Sequence, residues 1–141
     1  MRAALGPELI AFGEWCAARH SLDYDHLPDW WLAFDVYDRS TKAFFSAAQR
    51  DSWVSAAGVV GVARLYRGRI TLGGLQRLLT DALSRYRAGP LEGLVIRQDR
   101  GEIAGPRAKL VRPEFVQAID GHWSGRRIDW NRVDPAAAVQ T

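Results

Sequence analysis

Leu91-Glu92-Gly93-Leu94-Val95-Ile96-Arg97 and, further on, Arg107-Ala108-Lys109-Leu110-Val111-Arg112 read as two β-strands joined through a glycine-punctuated turn. The first opens on a carboxylate, Glu92. The second presents Lys109, one of only two lysines in the chain. The order of carboxylate, strand, turn, strand and ammonium decides the reading, because it puts a cation where a phosphate could be gripped. The other lysine is Lys42, so chemistry that needs a nucleophilic amine has few places to occur; guanidinium does not replace a titratable amine.

Working outward, short strands and helices alternate without clean βαβ repeats. Leu9 to Trp15 reads as a strand. Trp30 to Tyr37 reads as a stronger one, with Leu32, Phe34 and Val36 on one face and Trp31, Ala33, Asp35 and Tyr37 on the other. Ser46 is placed to cap a helix through Ala47, Ala48, Trp53 and Val54 that closes at Gly58. Val59 to Leu65 reads as a further strand. Thr71 then opens an amphipathic helix whose Leu72, Leu75, Leu78, Leu79 and Leu83 form an apolar stripe, expected to pack in the core. Pro113 is suited to the first turn of a last helix over Glu114 to Trp123, and the tail 134–141 reads as a frayed, flexible end. These elements favour an α+β fold with mainly antiparallel strands over a doubly wound sheet.

Composition sets the outer bounds. A chain of 141 residues fits one domain and one core, and its 48% apolar and 25% charged content is that of an ordinary globular protein. No apolar run approaches the ~20 residues of a membrane-spanning helix, and the first ten residues carry no secretory h-region. The lone Cys16 excludes an internal disulfide and fits a reducing cytoplasm; with three scattered histidines it makes a structural zinc site improbable. The charge of +3 rests on 17 arginines and 2 lysines, a moderate excess compatible with a polyanionic partner.

Several residues carry candidate chemistry. Glu92, beside Gly93 at the head of a strand, is placed to hold a hard cation or its water; taken alone it reads first as a solvated strand-end acid. Lys109 packs its stem while its ammonium reaches a phosphate, or is an ordinary surface lysine. Glu14 follows Gly13 in a β-like setting. The aromatic faces of the Trp31–Tyr37 run, Phe34 among them, are able to stack on a base or to fill a core. Arg19-His20-Ser21 has no acid spacing that supports a catalytic triad, and no glycine-rich phosphate loop occurs.

Taken in order, Gly13-Glu14 with Ala18-Arg19-His20-Ser21, then Trp31-Leu32-Ala33-Phe34-Asp35-Val36-Tyr37-Asp38, then Glu92-Gly93-Leu94-Val95-Ile96-Arg97, then Lys109-Leu110-Val111-Arg112-Pro113, resemble the adenylyltransferase domain of ATP-dependent RNA ligases. The closest type is the bacterial and phage group that seals nicks in RNA duplexes. The likeness runs from about Phe12 to Val133. It implies an α+β nucleotidyltransferase (ATP-grasp-like) domain over 1–133, with ATP and Mg²⁺ as cofactors and RNA ends as partners. Its reaction would be lysine adenylylation, AMP transfer to an RNA 5′-phosphate, and attack by a 3′-hydroxyl. Carried over residue by residue, the resemblance assigns Glu14 to the nucleotide ribose and Phe34 to stacking on adenine, with Asp35 beside it. It gives Glu92 to divalent-metal catalysis and Lys109 to the AMP phosphate. Arg97, Arg107, Arg112, Arg126 and Arg127 become candidates for the RNA backbone.

The sequence departs from the family pattern in two places. Arg107 stands where the first of two motif lysines is usual, keeping the charge and changing the geometry. The nucleophilic Lys-x-Asp-Gly of the family, expected upstream of Gly13, is absent, and Lys42 is not followed by Asp-Gly. The resemblance therefore implies a domain lacking its N-terminal portion and unable to adenylylate itself. The alternatives are a non-catalytic nucleotide- or RNA-binding remnant of the fold, or a related DNA ligase or capping-type nucleotidyltransferase.

Overall fold

A computed structural model describes residues 5–19, 22–115 and 129–140. Strands β1 (Leu9–Trp15), β2 (Trp31–Asp38) and β3 (Ala43–Phe44) form an antiparallel sheet in that order. Helices α1 (Ala47–Ala57) and α2 (Leu72–Asp81) follow, and β4 (Gly93–Arg97) pairs antiparallel with β5 (Arg107–Val111) as a second sheet. The architecture is α+β, as the strand and helix pattern implies.

A bulge sets the geometry of the first sheet. Phe12 pairs with Asp35 and Gly13 with Ala33, so Phe34 is the extra residue on β2. One added residue reverses which side chains share a face. Ala33 and Val36 therefore lie in one core with Trp53 of α1, while Leu32 stands opposite Glu14 and Asp35 opposite Phe12. The strict alternation expected along Trp31–Tyr37 is corrected here: a period of two does not survive an inserted residue. Gly13 is needed where it lies, because a Cβ there would run into the indole of Trp31.

Helix α1 begins and ends as its sequence implies. The Ser46 hydroxyl accepts from the Gln49 N–H at 3.3 Å, and Gly58 is left-handed at the C-cap. The Asp99 carboxylate also accepts from Ala47 N–H, adding a negative group at the positive end of the helix. Helix α2 is capped by Thr71, whose hydroxyl accepts from Gly74 N–H at 3.1 Å. It ends at Asp81, two residues short of Leu83. Leu75, Leu78 and Leu79 pack with Leu91 and Leu94 of the β4 side in a second core; Leu72 and Leu83 are exposed, which shortens the expected stripe.

Residues 59–65 do not form the expected strand. They make a single parallel bridge, Ala33 to Gly61, closed by Ala33 N–H to Val60 O at 2.8 Å and Val62 N–H to Ala33 O at 2.9 Å. The rest of that edge of β2 is taken by β3. The long β4–β5 connection folds back on β3 instead of standing free. Phe45 bridges Ile103, and Ser46 N–H donates to Glu102 O. After Val111 the described part of the expected last helix is a 3₁₀ turn, Pro113–Phe115, and the remainder of Glu114 to Trp123 lies outside the described residues. Pro135–Gln140, expected to fray, is a 3₁₀ helix, and Asp134 N–H donates to Leu27 O just before it. No helix among the described residues is long and apolar enough to cross a membrane.

Candidate functional site

A cavity of about 400 Å³ opens between the end of β1, the start of β2 and the β4–β5 pair. That volume falls within the roughly 300–1,000 Å³ of small-molecule sites. Glu14 and Leu32 enter it as cross-strand partners, because the bulge leaves both on the face of the sheet that looks toward β4 and β5. Glu92 and Lys109 enter it from the opposite side. Gly93 makes their approach possible: a Cβ there would stand 2.7 Å from the Leu110 carbonyl, so only glycine lets β5 come this close. Arg112 N–H then bonds Glu92 O at 3.0 Å and holds the head of β4 against β5.

The electrostatics are mixed. Burial pushes the Glu92 carboxyl upward, and the Lys109 ammonium works against that shift. Cys16 sits in the same wall, its thiol raised to about 11 by burial and then by the Glu14 charge, so it is a poor nucleophile. Two carboxylates and one ammonium leave the lining one negative charge in excess, so an anionic ligand with a flat apolar part, lying over Leu27 and Leu32, suits it only together with a cation.

Four further residues build the wall and carry no motif that sequence reasoning could find. Asn131, only 3% exposed, accepts from Tyr24 N–H at 2.9 Å and donates to Cys16 O at 2.8 Å and to Ala18 O at 3.3 Å. It thereby ties the C-terminal segment to the turn after β1. The Tyr86 hydroxyl accepts from Ala63 N–H at 2.7 Å, and burial raises its pKa. With Trp15 and Tyr24 it supplies the aromatic surface of the cavity.

Of the residues singled out in the sequence, Glu14, Glu92 and Lys109 therefore converge. Phe34 and Asp35 do not line the cavity. Phe34 is the bulged residue, partly buried, and its carbonyl accepts from Arg50 and Arg97. Asp35 is 3% exposed and bonds Arg97 at 2.9 Å and Arg107 as well; Arg107 also lies over the Phe44 ring at 4.7 Å. Arg97 and Arg107 are thus committed to Asp35, and Arg112 to Glu114 at 2.6 Å. Arg126 and Arg127 lie outside the described residues, as do His20 and Ser21. Lys42 is exposed in a left-handed turn after β2, away from the cavity wall.

Among the described residues, no group of three or more histidine, cysteine or acidic side chains could hold a metal by itself. Mg²⁺ asks for less, since it is commonly held by one or two carboxylates together with ligand phosphates and water. Glu92 alone meets that minimum. The family model described as RNA ligase matches residues 2–111. No curated protein and no solved structure matches the chain.

Proposed function

The chain belongs to the RNA ligase family, and on that premise we propose that the cavity between β1, β2 and β4–β5 receives an adenylate for the joining of RNA ends. The observation that carries this reading is the meeting of Glu14, Glu92 and Lys109 in one adenylate-sized cavity, although they lie far apart in sequence. In it, Lys109 neutralises the phosphate, Glu14 accepts from ribose hydroxyls, and Glu92 is the carboxylate on which Mg²⁺ is shared with the ligand. The metal, when bound, would screen charge on the phosphate oxygens. The base lies against Trp15, Tyr24 or Tyr86, because Phe34 is not in the wall. The fold on this reading is that of a nucleotidyltransferase of the nick-sealing type.

The two lysines limit what the 141 residues do alone. Neither is followed by x-Asp-Gly, and Lys42 does not line the cavity. The polypeptide on this reading does not form a covalent adenylate, but it keeps the groups needed for the last step, which uses no protein nucleophile. There the RNA 3′-hydroxyl oxygen attacks phosphorus of a pre-adenylylated 5′-end, the bond to AMP breaks, AMP leaves and the hydroxyl proton is released. The test is a nicked RNA duplex carrying such an end, mixed with the protein and Mg²⁺ without ATP. Sealed RNA and free AMP are expected. No sealing, together with a labelled protein band after incubation with radiolabelled ATP, would refute this division of labour.

A further inference from the structure

Positive charge is unevenly spread along the chain. Residues 61–90 hold six arginines against a single aspartate, five positive charges in excess, whereas the whole chain carries +3. Two of the six are engaged: Arg64 pairs with Asp51, and Arg87 donates to the Pro90 carbonyl at 3.2 Å. Arg67, Arg69, Arg77 and Arg85 are exposed, and none forms an ion pair with a described carboxylate. Arg50, Arg97 and Arg107 differ in this respect, each being held by an acid. An exposed aromatic stands among the free cations. Tyr66 is 50% exposed, its hydroxyl donates to Arg69 O at 2.9 Å, and its ring packs over Gly68. The loop 66–69 is therefore built around its own tyrosine. The segment also begins and ends at the cavity: Val62 and Tyr86 both line it, and Ala63 N–H is bonded to the Tyr86 hydroxyl.

From this placement we propose that the arginine-rich arm between Val62 and Arg87 is the track for the sugar-phosphate backbone of the RNA strand that leads to the cavity. Arg67, Arg69, Arg77 and Arg85 contact phosphates, and Tyr66 offers a face for an unpaired base. The proposal rests on the proposed function only for the identity of the strand. Its grip on the backbone is independent of base sequence, because a phosphate carries no sequence information.

The test is fluorescence anisotropy of a 5′-labelled single-stranded RNA titrated with the full chain over a series of salt concentrations, without ATP. Arg67→Ala/Arg69→Ala is expected to weaken binding of every RNA sequence alike. It should lower the slope of log affinity against log salt by about 1.4, since each phosphate neutralised on a single strand contributes about 0.7. Tyr66→Ala is expected to weaken binding and leave the slope unchanged. Wild-type affinity and slope in the double variant would overturn the proposal, as would arm-dependent binding to phosphatidylserine vesicles with none to RNA. ATP affinity should stay at the wild-type level in the double variant. If the wild type bound RNA through the arm but bound no ATP, the adenylate reading would fail and this one would stand.

Discussion

Asp35 and Arg97, sixty-two positions apart, are joined at 2.9 Å across the two sheets, and both are almost wholly buried. Arg107 adds a second bond to the same carboxylate, and Arg50 and Arg97 both reach the carbonyl of Phe34. The bulge at Phe34 therefore places one acid on the face where it locks β4 and β5 against β2, next to the cavity. Arg97 Nε and Asp99 Oδ1 face each other as an ion pair at 3.7 Å in the same cluster, beyond hydrogen-bond distance.

Removing the charge at Asp35 should therefore loosen both sheets. Breaking a buried pair by deleting one partner leaves the other charge buried and uncompensated, at about 3–5 kcal/mol. Arg107 is partly solvated and softens the loss, so Asp35→Asn is expected to cost about 3 kcal/mol in urea unfolding. An unchanged midpoint would show that the pair contributes little.

The Glu92 carboxyl titrates above its usual range, chiefly through burial. A carboxyl whose folded pKa is raised binds more protons folded than unfolded, so stability falls as pH rises through that window. Glu92→Gln should therefore raise the melting temperature above that window, where the wild type carries a half-buried charge, and should have little effect below the carboxylate range. Melting curves of both proteins across pH check this, and a stabilisation independent of pH would refute it.

Asn131 has three hydrogen bonds to the backbone of the segment after β1. Asn131→Ala leaves those buried groups unsatisfied, at about 1–3 kcal/mol each before water enters. Loss of about 2 kcal/mol is expected, with faster hydrogen exchange at Tyr24 N–H than at the amides of α1. Uniform exchange across both regions would show that the wall is not held locally.

The local elements were legible because their signals are local. Ser46 and Gly58 bound α1 by capping chemistry, Thr71 starts α2, and Gly93 marks the close approach of β5. Glu14, Glu92 and Lys109 could be paired through the order of their motifs. The bulge was hidden, since Phe34 continues an apolar run and nothing in a period of two announces an inserted residue. That concealment hid the placement of Phe34 and Asp35 outside the cavity wall, and it made Arg97 and Arg107 look free. Asn131 and Tyr86 were hidden for another reason: their partners are backbone groups of distant segments, which no side-chain pattern encodes. Leu72 and Leu83 extend the helical spacing beyond the packed turns of α2, so spacing overstates the core.

The most direct test of the central claim is calorimetric titration of the wild type, Lys109→Ala and Glu14→Ala with ATP in the presence of Mg²⁺. Lys109 and Glu14 reach the cavity from opposite sheets and neither is buried, so both variants should fold as the wild type does. The account predicts saturable binding by the wild type and an affinity roughly tenfold or more weaker in each variant, corresponding to about 1.4 kcal/mol for a charged hydrogen bond. Wild-type affinity in both variants, or no binding by the wild type at all, would contradict it.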